Sequence, residues 1–199
     1  ETARDVAELK VPDPTVDMPF VGDAIRAFTE GMLDVPLIGF AGAPFTLAAY
    51  AIEGGGSKNF AATKRFLFSQ PKVARELLHK LSETVAAHLE AQIDAGCCAV
   101  QVFDSWAGQL SRDDYLDFAL PPTVEIVERL TKKGVPVIVF AKGVHACLEE
   151  LSQIGAQVLG VDWTMPLDEA GRRTGHKVAL QGNLDPCELL GPPERIERG

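Results

Sequence analysis

No stretch of this sequence approaches the roughly 20 consecutive apolar residues of a membrane-spanning helix, so a helical membrane span is not predicted. Cysteine is scarce. Cys97, Cys98, Cys147 and Cys187 form no CxxC pair, which predicts reduced thiols in a cytoplasmic protein rather than a disulfide scaffold. Basic charge is in deficit, with 19 Lys and Arg against 28 Asp and Glu and a net charge of −9. That balance argues against a nucleic-acid surface. It also sits awkwardly with a polyanionic ligand, unless local cations override the global field. No basic-then-apolar leader opens the chain, so export is not predicted. The first residues, Glu1-Thr2-Ala3-Arg4, lack an initiating Met and read as the interior of a longer polypeptide.

What is present points to a globular domain. The 199 residues are 46% hydrophobic and 24% charged, enough for one domain with a real core. Strands are predicted at 35–41, 98–103, 135–141, 157–162 and 177–182, each short and mostly apolar, as in strands buried on both faces. Helices are predicted at 18–33, 58–69, 71–95, 121–133, 144–154 and 166–174. The clearest is 71–95, where Val73, Leu77, Leu81, Val85, Leu89 and Ile93 form one apolar stripe, with Pro71 in the first turn and Gly96 as the stop. Residues 11–16 read as a proline-punctuated connector. Strand–helix alternation five times over predicts parallel strands, in either a doubly wound sheet or a (β/α)8 barrel. No GxGxxG follows a strand, which weakens the nucleotide-binding sheet. Against a barrel, eight units take about 250 residues and only five are predicted here, so a barrel would be incomplete; either way the chain reads as one α/β domain, with 1–34 as connector and helix and 35–199 as five βα units.

Either architecture gathers the carboxyl ends of the strands into one site. Those ends are Phe40-Ala41-Gly42, Phe103-Asp104-Ser105-Trp106, Phe140-Ala141-Lys142-Gly143, Val161-Asp162-Trp163-Thr164 and Gln181-Gly182-Asn183-Leu184-Asp185. Aromatic walls with a few polar groups suit a flat organic ligand. Asp104, Asp162 and Lys142 are candidates for acid–base work, or for orienting loops at strand ends. Ser105 lacks a nucleophile-elbow context and suits a hydrogen-bonding role. The block Gly39–Leu47 followed by Gly54-Gly55-Gly56 predicts a strand opening into a loop built for close approach. Glu53 to Lys58 fails the phosphate-loop spacing. His145-Ala-Cys147 supplies two possible zinc ligands but no third. His79, His88 and His176 read as solvent or structural residues.

Six blocks in order then carry a resemblance: Gly39-Phe-Ala-Gly-Ala-Pro-Phe-Thr-Leu47, Glu53-Gly-Gly-Gly-Ser57, Phe103-Asp-Ser-Trp-Ala-Gly108, Phe140-Ala-Lys142, Gly160-Val-Asp-Trp-Thr164 and Leu180-Gln-Gly-Asn-Leu-Asp-Pro186. Together they resemble the uroporphyrinogen decarboxylases, over almost the whole chain but only somewhat more than half of a full member. The resemblance implies a partial (β/α)8 TIM barrel holding about strands three to seven. It implies loss of the four acetate carboxyl groups of uroporphyrinogen as CO2, giving coproporphyrinogen in haem and chlorophyll synthesis, with neither metal nor organic cofactor. It implies a cytoplasmic homodimer acting on a small molecule, with no nucleic-acid or membrane partner. Tyr50 matches the family's active-site tyrosine and Ser105 its serine, both beside substrate carboxylates. Phe40 and Phe103 match aromatic positions lining the cleft. The family's arginine pair, central aspartate and active-site histidine have no counterpart here, so no catalytic residue is assigned within 1–199 and the cations for the polyanion are expected elsewhere. The 199 residues alone are expected to be inactive.

Two alternatives differ in class. A corrinoid-related zinc methyltransferase of the same superfamily would place His-x-Cys-Gly at the end of 135–141, where this chain has Phe140-Ala141-Lys142-Gly143. A non-catalytic partial barrel would serve as a binding module.

Overall fold

Short runs rich in Val, Ile and Phe pair as parallel strands, because their β-branched and aromatic side chains fill both sides of a pleated sheet. The computed structural model describes residues 2–31 and 35–197. The chain enters through α1 (Ala3–Glu8), α2 (Pro14–Asp17) and α3 (Pro19–Gly31). It then forms β1 (Ile38–Gly42), α4 (Pro44–Glu53), α5 (Ala61–Ser69), α6 (Pro71–Asp94) and β2 (Ala99–Asp104). A short α7 (Arg112–Asp114) runs through a π turn, Tyr115–Ala119, into α8 (Leu120–Leu130). β3 (Val137–Ala141), α9 (Leu148–Leu151), β4 (Val158–Gly160), α10 (Leu167–Arg173), β5 (Ala179–Gln181) and α11 (Pro193–Ile196) complete the order.

The strands form one five-stranded sheet in the order β1-β2-β3-β4-β5, with every neighbouring pair parallel. Sequential order with helical crossovers is the pattern of a TIM barrel, and the chain is a partial (β/α)8 barrel of five consecutive units. No helix among the described residues is long and apolar enough to cross a membrane.

Strand alternation divides the side chains into two faces. Val100, Val102, Val137, Val139 and Leu159 point into the helix layer and are almost fully buried with Leu78, Leu89, Ile126 and Leu130 in one core. Each such side chain contributes about 1.5–3 kcal/mol. The opposite face carries Ile38, Phe40, Phe103 and Phe140, and it is partly open, with Phe40 64% exposed.

Several predicted bounds shift, each for a local reason. β1 starts at Ile38, because Pro36 just ahead has no N–H to donate. The 18–33 helix is described as far as Gly31, and its predicted end lies outside the described residues. The 144–154 helix is a 3-10 turn, His145–Cys147, followed by the single turn of α9. The predicted connector at 11–16 contains the first residues of α2, which Asp13 caps by accepting the Thr15 N–H at 2.9 Å. On α6, strict four-residue steps drift from a helix of about 3.6 residues per turn. Leu77, Val85 and Leu89 are buried, while Val73, Leu81 and Ile93 are only partly so; Ala74, Leu78, Ser82, Ala86 and Gln92 complete the buried stripe.

The largest correction concerns residues 43–56. The predicted loop is the helix α4, entered through Pro44 at its first turn and ended by Gly54 at φ 73°. α4 is buried on most sides (Phe45, Thr46, Ala48, Ala49 and Ile52), so it lacks the polar stripe that marks a surface helix. A Cβ at Gly54, Gly55 or Gly56 would meet nothing within 4 Å among the described residues. Gly54 supplies the left-handed turn, and Glu53 beside it accepts the N–H and hydroxyl of Thr63, both at 2.9 Å, capping α5.

Candidate active site

The open sheet face carries a stair of three aromatic rings near the strand tips. Phe40 on β1 meets Phe103 on β2 edge to face, with centroids 5.9 Å apart and planes at 85°. Phe103 meets Phe140 on β3 at 5.9 Å and 70°. Such pairs add about 0.5–1.5 kcal/mol beyond their buried area. Next in register to Phe140 is Gly160 on β4, and a Cβ there would fall 2.7 Å from a Phe140 ring carbon. Glycine at 160 therefore leaves the space that the Phe140 ring occupies.

Phe40 is also fixed through its backbone. Gln92 on α6 accepts the Phe40 N–H and donates to the Phe40 carbonyl, both at 3.0 Å. The amide reaches the strand because residue 39 is glycine: a Cβ there would lie 2.5 Å from Gln92 Oε1.

Tyr50 stands on α4, 43% exposed, against a second aromatic group. Its ring lies 5.9 Å from Trp106, and Trp106 lies 4.9 Å from the buried Phe60. Ser105 is half-buried in the turn between β2 and Trp106. Of the four residues singled out by the resemblance, Phe40 and Phe103 are thus in direct contact. Tyr50 meets the neighbour of Ser105 rather than the Phe stair.

Asp104 is not in the open cleft. Phe103 faces the open side, so Asp104, one residue on, faces the helices. It is 1% exposed. Thr46 on α4 donates its hydroxyl to Asp104 Oδ1 at 2.6 Å and accepts the Trp106 N–H at 3.2 Å. Burial pushes the Asp104 carboxyl up to about 7, with the Thr46 hydrogen bond partly opposing it. Among the described residues its other oxygen, Oδ2, has no hydrogen-bond partner, nor do the buried Tyr115 hydroxyl and Trp106 Nε1. Burial also pushes the Tyr115 hydroxyl well up, reinforced by the charges of Asp104 and Cys147. Asp104 and Thr46 therefore tie the start of α4 to the end of β2. Thr46, which the sequence reading missed, is a buried hydroxyl in an apolar helix, and only its partner on another strand marks it.

Asp162 organises the tips of β3 and β4. Its Oδ2 accepts the Gly143 N–H at 2.7 Å, and its Oδ1 accepts the Thr164 N–H and hydroxyl at 2.9 and 2.6 Å. His145 Nε2 lies 3.2 Å from Oδ1 and 2.7 Å from the Thr164 hydroxyl. Burial works to raise the Asp162 carboxyl, but the Thr164 and Gly143 hydrogen bonds hold it below its ordinary value. His145 is thus engaged by a carboxylate and a hydroxyl from the β4 end, while Cys147 is buried in the core. Lys142 extends over the Trp163 ring, its ammonium 5.0 Å from the centroid, within cation–π range.

The family model described as uroporphyrinogen decarboxylase (URO-D) matches residues 1–199. The chain belongs to the uroporphyrinogen decarboxylase family. Its sequence is 48% identical over 197 residues to the uroporphyrinogen decarboxylase of Myxococcus xanthus, covering 98% of this chain and 57% of that protein. It is 48% identical over 200 residues to that of Saccharophagus degradans, covering 98% and 56%. It is 47% identical over 194 residues to that of Geobacillus kaustophilus, covering 98% and 56%. The chain therefore spans a little over half the length of these relatives. In fold it is similar to a methyltransferase from Methanosarcina mazei, with a TM-score of 0.83, 18% identity and coverage of 97% of this chain and 58% of that one. That likeness concerns the fold alone.

Proposed function

We propose that the protein carrying this chain decarboxylates the acetate arms of uroporphyrinogen to give coproporphyrinogen. The observation that carries this reading is the Phe40–Phe103–Phe140 stair on the open sheet face, in a chain matching the family along its whole length. A run of ring edges and faces suits a flat macrocycle held by its hydrocarbon surface.

The chemistry is within reach of side chains alone. Protonation of a pyrrole carbon beside an acetate arm turns the ring into an electron sink. The C–CO2 bond then breaks with its electron pair drawn into the ring, and CO2 leaves. A proton taken up at the former acetate carbon and another released from the ring leave a methyl group. The protein's task is to hold the macrocycle, bind its anionic arms and stabilise the cationic ring. In this reading Tyr50 and Ser105 hydrogen-bond substrate carboxylates, and Phe40 and Phe103 line the cleft. The family's arginine, aspartate and histidine groups are supplied from outside residues 1–199. The protein works in the cytoplasm as a homodimer on a small-molecule substrate, and the 199 residues form a single domain that alone is inactive because β1 and β5 are open sheet edges.

The test is anaerobic incubation of the full-length protein with uroporphyrinogen, followed by oxidation and chromatography of the porphyrins. Stepwise loss of carboxyl groups ending at coproporphyrin is the expected result. Unchanged uroporphyrin refutes the proposal.

A further inference from the structure

The chain's net charge of −9 opposes a substrate bristling with carboxylates. The family resemblance implies that the compensating cations lie outside residues 1–199, yet one cation sits at the strand tips. The β2–β3 ladder pairs Phe103 with Phe140 and Asp104 with Ala141. The last pair closes with the Lys142 N–H donating to the Asp104 carbonyl at 3.1 Å. The Gly108 N–H then donates to the Lys142 carbonyl at 2.9 Å, strapping the Ser105–Gly108 turn to the Lys142 backbone. A Cβ at Gly108 would lie 2.8 Å from that carbonyl, so glycine is what lets the turn lie so close. Ser105 and Lys142 are the turn residues that follow directly on the paired Asp104 and Ala141, so both stand at the adjoining tips of β2 and β3.

Three further observations concern the ammonium itself. Among the described residues no carboxylate pairs with it, in a chain with nine more acidic than basic groups. The nearby Asp162 is already occupied by Gly143, Thr164 and His145. The Trp163 ring beneath the ammonium holds it at the tips without neutralising it.

We propose that Lys142, with Ser105 beside it, binds one carboxylate arm of the substrate at the strand tips, the Trp163 ring holding the ammonium in place. The aromatic stair takes the flat ring, and the Lys142–Ser105 pair takes an arm at its β3 end. This assignment rests on the proposed function, since it needs a flat ligand with anionic arms.

The experiment uses the full-length protein, with uroporphyrin and coproporphyrin as binding probes followed by fluorescence across a range of NaCl concentrations. Initial rates on uroporphyrinogen are measured alongside, for the parent and for Lys142→Met, Lys142→Gln and Lys142→Arg. Losing a charge-assisted contact should weaken uroporphyrin binding about tenfold in Lys142→Met and Lys142→Gln and flatten its salt dependence. KM should rise by a similar factor with kcat little changed, the mark of a contact made equally in ground and transition states. Lys142→Arg should stay within about twofold of the parent. Parent-like binding, salt dependence and KM in the Met and Gln variants of an active parent overturn the lysine's role and leave the proposed function standing. Thermal melting well below the parent in both neutral variants, restored by Arg, makes Lys142 a prop for Trp163 and overturns it as well. A parent that neither binds uroporphyrin nor decarboxylates uroporphyrinogen overturns the proposed function, and the lysine's role with it.

Discussion

Replacing Asp104 by asparagine should change how the protein's stability depends on pH, because this carboxyl has a much higher affinity for its proton in the fold than in water. Burial raises it from 3.8 to about 7. The folded state keeps the proton between those values and the unfolded state releases it, so stability falls as pH rises through that window. The contribution is fully present below about pH 4 and is lost as pH passes about 7. A displacement of roughly three units, at about 1.36 kcal/mol each, corresponds to ~4 kcal/mol between the two ends. Asparagine keeps an oxygen to accept the Thr46 hydroxyl at 2.6 Å but cannot ionise. Urea unfolding of parent and Asp104→Asn full-length protein at pH 5 and pH 8 isolates the effect. The difference between the two proteins cancels groups that titrate alike in both, among them Asp162, which hydrogen bonds hold low, and His79, which its hydrogen bond to Glu125 holds high. The variant should gain on the parent by a few kcal/mol from pH 5 to pH 8. Parallel stability curves would show that Asp104 is not held protonated, and the argument from its burial would fail.

Three other outcomes follow from the geometry. Gly160→Ala places a carbon 2.7 Å from the Phe140 ring, so it should cost about 1–3 kcal/mol in chemical denaturation, and Phe140→Ala in the same chain should recover part of that loss. Gln92→Leu removes both hydrogen bonds to the Phe40 backbone and leaves that N–H and carbonyl without their partner, which should cost on the order of 2 kcal/mol and speed Phe40 amide hydrogen exchange. Tyr50→Phe and Ser105→Ala should each lower kcat/KM on uroporphyrinogen by about tenfold, the loss of one hydrogen bond to a charged arm, with melting temperature unchanged; full activity in both would remove them from the site.

The alternating architecture was legible because each strand is a short apolar run and each crossover helix carries its own start and stop. The α6 helix shows this best: Pro71, a 24-residue periodic stripe and the glycine at 96 are all local signals. α4 was not legible, since a helix buried on most sides has no polar stripe, and the three glycines after it drew attention to a loop. Asp104 was left open between two roles for a different reason. Its place at the end of a strand was visible, but the side of the sheet it faces depends on which neighbour fills the open face, and that follows from packing against the helices.

The residues themselves determined five parallel units, the aromatic character of the strand tips and the family to which the chain belongs, because these rest on hydrophobic patterning and on motifs contiguous along the backbone. Tertiary structure alone decided that Phe40, Phe103 and Phe140 form one stair, that Asp104 turns into the helix layer toward Thr46, and that Lys142 stands over the Trp163 ring. Each of those outcomes depends on strand register, which pairs residues tens of positions apart and is set by how whole elements pack together.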